Sequence, residues 1–303
     1  MAEDLLIAEQ GELYAVASRN AEKAQDFGLE FGAEKCYHNY QALCEDPQVD
    51  IVYIATPHSF HYEHASLAIE AGKAVLVEKP MGLNAVQSAK LIAKARDKGV
   101  FLMEGIWTRF MPITEKLLEL LEAKVLGDLE YLAADFGFRS KYEPEHRLFN
   151  PSLGGGSLLD IGIYPLYLSL VILGEASEIK VNARYAPNGV DIYCKVELNY
   201  EGGAKAELIS SFEENLPTEA ILKGSKGSIQ IHRRFHQSEK LSLDFAPKLR
   251  DIQLPYSGNG YVHEIDEVHL CLDKGLLESP KLTLDLSLRL SKNLDRIIAK
   301  MQS

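Results

Sequence analysis

Four apolar residues stand directly before a charged pair and a proline in residues 74–80, AVLVEKP. A continuous apolar run of this length is typical of a strand buried on both faces, as in a parallel sheet. Proline has no N–H and cannot continue the strand, so Pro80 fixes the point where the backbone leaves the sheet. Lys79 is therefore expected at the carboxyl end of a buried strand, where open parallel sheets bind ligands.

The same alternation continues on both sides of this run. Further strand-like segments occupy residues 12–18, 51–55 and 100–103. Between the strands the pattern predicts helices, each ending at a glycine, over residues 20–31, 59–71 and 84–98. Strands separated by helices of this length indicate right-handed crossovers and a parallel sheet.

After Gly127 the pattern changes to successive strands separated by short turns. The strand candidates lie near residues 129–138, 178–186, 190–200, 204–213, 218–223 and 227–232. One helix follows the glycines at 154–156, and two more are predicted near 261–274 and 283–300. We expect an α/β domain over residues 1–105 and an α+β domain with an open antiparallel sheet over residues 106–303. The last helix is a candidate to pack back on the first domain.

Composition excludes several classes of protein. The net charge of −12 argues against nucleic acid or an anionic membrane as the main partner. The four cysteines, Cys36, Cys44, Cys194 and Cys271, have neither CxxC nor zinc-finger spacing and are expected to be reduced thiols. The longest uncharged run, residues 161–173, is too short to span a bilayer. These features predict a soluble, cytoplasmic protein.

Several motifs occur together at characteristic spacing. They are ATPH at 55–58, AGKAVLVEKP at 71–80, MEGIWTRF at 103–110 and GGSLLDIGIY at 155–164. In combination they resemble the family of glucose-fructose oxidoreductase and inositol 2-dehydrogenase over essentially the whole chain. The last two motifs resemble its dimeric dihydrodiol dehydrogenase subgroup, which also oxidises aldoses such as xylose with NADP. The resemblance implies a Rossmann-type first domain and a homodimer formed through the C-terminal sheet.

The resemblance makes Lys79 the central candidate for proton transfer, although a lone lysine in a turn is usually a solvated surface residue. Asp160 and Tyr164 are four residues apart on a predicted helix, so they share a face. The resemblance implies that this face lies over the nicotinamide, with Tyr164 as a proton donor. Asp160 would either orient the substrate hydroxyl or hold the pair of Tyr164 and Lys79. A helix cap and a core tyrosine are the alternative. The sequence leaves open whether Lys79 or Tyr164 is the formal acid or base.

Cofactor choice is predicted from Ser18 and Arg19, which stand at the end of the strand expected over residues 12–18. NAD-specific sheets usually place Asp or Glu at this position, whereas arginine suits the 2′-phosphate of NADP. We therefore expect NADP, with NAD as a possible second cofactor. A solvated arginine at the start of a helix is the alternative for Arg19.

Other residues are assigned to the cofactor by the resemblance. They are Thr56, Pro57, His58 and His61 in the turn after one strand, Glu78 beside Lys79, and Trp107 and Arg109 after the last strand. Trp107 could equally be a core residue, and His61 could simply pack the turn. His58, His61 and His64 recur at intervals of three, but no carboxylate or cysteine pattern accompanies them, so we expect no metal. Arg147, Asp191, Tyr261 and His263 are weaker candidates for the cleft.

A dinucleotide-binding domain normally opens with a strand, G-x-G-x-x-G and a helix. No such motif occurs in this sequence, and residues 2–9 look like the end of a helix. Without a central first strand, the neighbouring strands would face each other across roughly 9–10 Å. We favour a sequence that is incomplete at its start over a rearranged domain.

These inferences predict a dehydrogenase that moves a hydride between nicotinamide and a secondary alcohol or hemiacetal. The expected substrate is a sugar, a polyol or a trans-dihydrodiol. The alternative is a non-catalytic sugar- or nucleotide-binding regulatory protein that has lost the phosphate loop, and a degenerate product without a stable cofactor domain is a third possibility.

Overall fold

The structure, a computed structural model, describes residues 1–245 and 248–302. Its residues form two compact units. Unit 1 comprises Met1–Trp107 and Ser257–Leu288, and unit 2 comprises Thr108–Tyr256 and Arg289–Ser303. The segment 257–288, which the sequence pattern assigns to the second domain, groups with unit 1.

The secondary structure alternates in the first third of the chain and is strand-rich after it. The helices are α1 (Ala2–Leu5), α2 (Ala21–Phe31), α3 (Tyr40–Glu45), α4 (His61–Glu70), α5 (Ala85–Lys98), α6 (Pro112–Glu122), α7 (Ile163–Leu173), α8 (Val262–Asp273) and α9 (Leu284–Met301). The strands are β1 (Ala15–Ala17), β2 (Lys35–Tyr37), β3 (Ile51–Ile54), β4 (Ala74–Glu78), β5 (Leu102–Gly105), β6 (Leu129–Gly137), β7 (Glu178–Tyr185), β8 (Asp191–Asn199), β9 (Lys205–Ser211), β10 (Ala220–Gly224), β11 (Gly227–Ile231), β12 (Lys240–Phe245) and β13 (Lys248–Gln253).

Unit 1 contains parallel strands, as its apolar runs predict. Strands β3, β4 and β5 pair in parallel in that order, and β1 pairs in parallel with β2 in a separate sheet. In the usual strand order a first strand lies between the two halves. Among the described residues, no strand pairs with both β1 and β3. The parallel pairing therefore agrees with the prediction.

The helix ends of unit 1 follow their local sequence signals. Asn20 and Asn84 accept hydrogen bonds from the backbone N–H groups three residues later, which caps α2 and α5. Gly32 and Gly99 end these helices with φ of 76° and 63°, a conformation that costs glycine little. The helix expected over 59–71 is shorter, because the 3-10 turn His58–Phe60 precedes α4.

The first predicted strand, residues 12–18, is reduced to β1, and β2 and α3 have no counterpart in the prediction. All three residues of β1 are only partly buried, and two of the three residues of β2 are exposed. Such short strands bury too few side chains to leave a clear apolar pattern.

The chain start is held in unit 1 by Asp4, which is fully buried. Its carboxylate accepts hydrogen bonds from the backbone N–H groups of Asn259, Tyr261 and Val262, at 2.7–3.2 Å for the closest contact to each. These N–H groups lie just before α8 and at its first residue. The first N–H groups of a helix have no partner within the helix. Asp4 therefore caps α8 from a distant part of the sequence.

Unit 2 is built on an eight-stranded sheet in the order β13-β12-β11-β10-β6-β9-β8-β7. Neighbouring strands pair antiparallel, as expected, except that β6 and β9 pair in parallel. Strands β6 to β11 coincide with the predicted segments to within a few residues, whereas β12 and β13 were not predicted. The sheet is thus mixed and mostly antiparallel.

The segment Pro151–Leu173 is long and apolar enough to cross a membrane by length and composition alone. However, 78% of its most apolar window is buried in the protein. Within it, α7 contacts the sheet strands β6 and β9 of unit 2. Helix α7 is therefore placed as a core helix of unit 2.

Candidate functional site

Lys79 directly follows β4, at the carboxyl end of the parallel sheet, as the sequence predicts. The residue is only 9% exposed, so the interpretation as a solvated surface lysine is wrong. The next peptide bond, to Pro80, is cis. A nearly buried amine at this sheet edge is a candidate to exchange a proton with a bound ligand.

Glu78 is held by a residue that the sequence did not single out. The Tyr53 hydroxyl, on the neighbouring strand β3, donates a hydrogen bond to Oε1 of Glu78. Burial and the Glu78 carboxylate raise the pKa of Tyr53, so its phenol remains a donor at neutral pH. Tyr53 thus fixes the carboxylate beside Lys79.

Glu264, on α8, is a second carboxyl group close to Glu78. It is fully buried, and its carboxyl oxygens have no hydrogen-bond partner among the described residues. Burial, and after it the Glu78 carboxylate, raises the pKa of Glu264 well above its usual range. Glu264 is therefore favoured in its neutral form.

His61 joins the turn after β3 to the turn after β4. Its Nε2 lies 2.6 Å from the backbone oxygen of Thr56, and its Nδ1 lies 2.8 Å from that of Pro80. Carbonyl oxygens only accept, so a neutral imidazole with one N–H can donate to one of them at a time. Burial lowers the pKa of His61, against the raising effect of these carbonyls. The ring packs and fastens both turns.

The remaining residues of this turn lie around His61. Pro57 precedes the 3-10 turn that His58 begins, and the His58 ring lies 5.6 Å from that of His61. The Thr56 hydroxyl lies 3.1 Å from Nδ1 of His64. Among the described residues, no group of three or more His, Cys, Asp or Glu side chains could hold a metal ion.

Arg19 follows β1 and lies with its guanidinium carbon 5.3 Å from the centre of the Phe60 ring. Phe60 in turn stacks on His64, with ring centres 5.6 Å apart. Within the described ranges, Arg19 forms no ion pair with a carboxylate. The exposed guanidinium is therefore placed beside an aromatic face at the end of β1. The Ser18 hydroxyl accepts a hydrogen bond from the Asn20 N–H. This bond stabilises the turn before α2 and does not bear on the choice of cofactor.

Trp107 ends unit 1 and is 8% exposed. Its ring stacks on Tyr261, with centres 4.6 Å apart and planes 9° apart. This contact places Tyr261, a weaker sequence candidate, in an aromatic pair with Trp107. His263 lies in the first turn of α8, and burial lowers its pKa.

In unit 2, Asp160 and Tyr164 lie at the start of the core helix. The segment Leu158–Gly162 is a π-helical turn, so the α-helical spacing predicted for this pair is wrong at Asp160. Such turns are frequently found at functional sites. Asp160 is 5% exposed and accepts a hydrogen bond from Nη1 of Arg147 at 2.9 Å. Arg147 therefore positions the carboxylate.

Tyr164 lies among aromatic rings that the sequence did not identify. Its ring centre is 5.9 Å from Phe136 and 5.5 Å from His236. Phe136 and His236 stack with centres 4.3 Å apart. Both residues are distant from Tyr164 in sequence, so no local pattern could have linked them. They form an aromatic wall beside the phenol.

Two other candidate residues of unit 2, Arg109 and Asp191, bind other groups of the protein. Arg109 forms an ion pair with Glu115, with Nη1 and Oε1 3.0 Å apart. Asp191 is partly buried and accepts hydrogen bonds from the Ser157 hydroxyl and the Leu158 N–H, both at 2.8 Å. Asp191 thus caps the π-helical turn that carries Asp160.

Both parts of the chain match known protein families. Residues 2–106 match the family described as "Oxidoreductase family, NAD-binding Rossmann fold". Residues 114–230 match the "GFO/IDH/MocA C-terminal domain". The matched ranges together cover more than half of the chain.

Curated relatives carry the name trans-1,2-dihydrobenzene-1,2-diol dehydrogenase. The protein of Mus musculus is 38% identical over 286 residues, which cover 92% of this chain and 85% of the relative. The protein of Homo sapiens is 34% identical over 295 residues, covering 94% and 87%.

Solved structures share the fold along nearly the whole chain. The aldose-aldose oxidoreductase of Caulobacter crescentus, complexed with glycerol, has a TM-score of 0.90 at 25% identity, covering 99% of this chain and 92% of its own. A 3-ketoreductase of Actinomadura kijaniata, in complex with NADP and TDP-benzene, has a TM-score of 0.87 at 25% identity and the same coverage.

Proposed function

The chain belongs to the GFO/IDH/MocA family of NAD-binding oxidoreductases, and on that basis we propose an NADP-dependent dehydrogenase acting on a sugar, a polyol or a trans-dihydrodiol. The observation that carries the proposal is Lys79, a nearly buried amine at the carboxyl end of β4. The names of the curated relatives favour a dihydrodiol, and those of the solved structures favour a sugar. All these substrates share a secondary alcohol or hemiacetal.

The nicotinamide, when bound, supplies the carbon that exchanges the hydride with the substrate. We assign the accompanying proton to Lys79 and Tyr164. Lys79 exchanges it through Nζ, and Tyr164 through its phenolic oxygen. Asp160, held by Arg147, orients the substrate hydroxyl through its carboxylate. For the relative from Actinomadura kijaniata, structures with NADP are also solved for one variant in which a lysine is replaced and for one in which a tyrosine is replaced.

Oxidation and reduction require opposite roles of the same groups. During alcohol oxidation the hydroxyl loses a proton to the base as its carbon loses a hydride, and during carbonyl reduction the acid returns that proton. Tyr164 lies beside the aromatic wall of Phe136 and His236 and is only 7% exposed, and polar interactions are stronger where water is scarce. The wall also offers a flat apolar surface to a ring-shaped substrate.

Nicotinamide fluorescence tests the proposal directly. NADPH is titrated into the protein, and aldoses, inositols and trans-dihydrodiols are then screened with both cofactors. Saturable binding and turnover of one substrate class are expected. An absence of binding at high micromolar NADPH would contradict the dehydrogenase, and sugar binding without NADPH binding would favour the non-catalytic alternative.

Replacing Arg19 by serine should reverse the cofactor preference. The substitution removes the charge-assisted bonds expected at the 2′-phosphate, and each such bond contributes roughly 1.5–3 kcal/mol. We expect KM for NADP to rise at least about tenfold while KM for NAD changes little. Steady-state kinetics with both cofactors measures this. Arg96→Ser, which alters an exposed pair with Asp285, is the control. An unchanged preference would exclude Arg19 from cofactor choice.

We also propose a homodimer formed through the outer face of the eight-stranded sheet, in a cytoplasmic protein with reduced thiols. Ile221 lies on this face, opposite Ala133, while its neighbours Ala220 and Leu222 are fully buried. Light scattering should give twice 33.8 kDa for the protein. Ile221→Glu should give the monomer mass, because the charge would be buried in the interface. A monomeric wild-type protein would contradict the proposal.

A further inference from the structure

Glu104 is a buried carboxyl group to which the proposed chemistry assigns no role. It lies on β5, in register with Val77 of β4, and is 1% exposed. Its Oε1 accepts a hydrogen bond of 2.8 Å from the backbone N–H of Met81. Met81 is also fully buried and stands two residues after Lys79. The carboxyl group therefore holds the turn that presents the lysine.

The same turn is held from a second direction. His61 contacts the backbone oxygen of Pro80, while Glu104 accepts from the N–H of the next residue. The Lys79 turn is thus fixed through consecutive backbone groups by side chains from α4 and β5. A shift of about 1 Å in a reacting group can reduce a rate by roughly 100-fold, so the rigidity of this turn matters for the chemistry.

Glu104 also changes charge near neutral pH. Burial raises its pKa to about 7, against the lowering effects of the Ser287 hydroxyl and the Met81 N–H. The charged groups that act on it are Glu78, which raises its pKa, and Lys79, which lowers it. Ionisation of Glu104 thus places a negative charge near the Lys79 amine and strengthens the bond to Met81.

We propose that Glu104 is a positioning residue for the proton transfer, and that its ionised carboxylate holds the Lys79 turn in the active arrangement. This inference rests on the proposed function. Glu104 is assigned no contact with substrate or cofactor and acts through Lys79.

Glu104→Gln tests the inference because the amide oxygen can still accept from Met81 but cannot ionise. In the natural protein, kcat/KM at constant ionic strength should rise as pH increases through about 7. In the variant this rise should be absent. Above about pH 7 its kcat/KM should be about tenfold lower than that of the natural protein. Glu63→Gln, at an exposed position of α4, should keep the natural profile. A variant with an unchanged profile would overturn the proposal.

A readout that needs no turnover separates this inference from the proposed function. The rate at which trinitrobenzenesulfonate labels Lys79 is followed against pH by peptide mass spectrometry. Because the ionised Glu104 carboxylate restrains the amine, we expect the labelling rate of Lys79 to change in a step near pH 7. Glu104→Gln should remove this step. If the natural protein shows this step but no dehydrogenase activity, the proposed function fails while the role of Glu104 at the Lys79 turn stands. If Glu104→Gln leaves the labelling profile unchanged, Glu104 does not act through Lys79.

Discussion

Lys79→Met should lower kcat/KM by about 1,000-fold while the protein still binds NADPH. Proton transfer by a positioned side chain contributes roughly 100- to 10,000-fold, and methionine keeps the length and apolar stem of lysine without its amine. Such a loss corresponds to about 4 kcal/mol of transition-state stabilisation. Steady-state kinetics with the best substrate of the screen measures the effect, and NADPH fluorescence confirms that the site is intact.

The matched control for Lys79 is Lys90→Met, because Lys90 is exposed on α5 and lies outside the candidate site. It should retain activity within about twofold, as expected for a surface substitution. Tyr164→Phe should cause a comparable loss, and the double variant should lose less than the product of the two, since groups that act as a unit are not additive. Full turnover by Lys79→Met would refute the proposed mechanism even if the enzyme class stood.

Asp4→Ala should lower the free energy of unfolding by about 3 kcal/mol. The substitution leaves the N–H groups of Asn259, Tyr261 and Val262 without their acceptor at the start of α8. An unsatisfied buried donor costs about 1–3 kcal/mol, and loss of a helix cap costs roughly 0.5–2 kcal/mol. Urea unfolding followed by circular dichroism measures the change.

Glu3→Ala is the control for Asp4, because Glu3 is exposed and accepts a hydrogen bond from the side-chain amide of Asn259 rather than from a backbone N–H of α8. Its effect should stay within about 0.5 kcal/mol. Asp4→Asn should fall between the two, since it keeps one carbonyl oxygen as an acceptor. An Asp4→Ala variant as stable as the Glu3→Ala variant would show that water replaces the carboxylate at no cost.

Local sequence features predicted the helices and the longer strands well. Helices α2 and α5 are specified by capping residues at their own ends. Asn20 and Asn84 cap the N-termini, and Gly32 and Gly99 end the helices. The apolar run before Lys79 specifies β4 because a strand buried on both faces must be apolar throughout. Strand β1 was overestimated, since an alternating pattern does not reveal where pairing stops.

The candidate site was predicted less completely. The position of Lys79 follows from its own strand and proline, but Tyr53, Glu104 and His236 are polar residues without a local motif. Their roles depend on hydrogen bonds and ring contacts to residues that are distant in sequence. The π-helical turn at Asp160 was also missed, because it runs directly into α7 and its residues fit the prediction of one continuous helix.

The sequence by itself determined the parallel strands of unit 1, the strand-rich second part and the location of Lys79, because each depends on residue spacing and on turn chemistry within one element. Only the tertiary structure decided which groups hold the Lys79 turn and that Asp4 caps α8. It also decided that Glu104 is buried beside this turn, where burial raises the pKa of its carboxyl group. These properties arise from burial and from contacts between distant segments, and a buried carboxyl changes its pKa only when the fold has removed it from water.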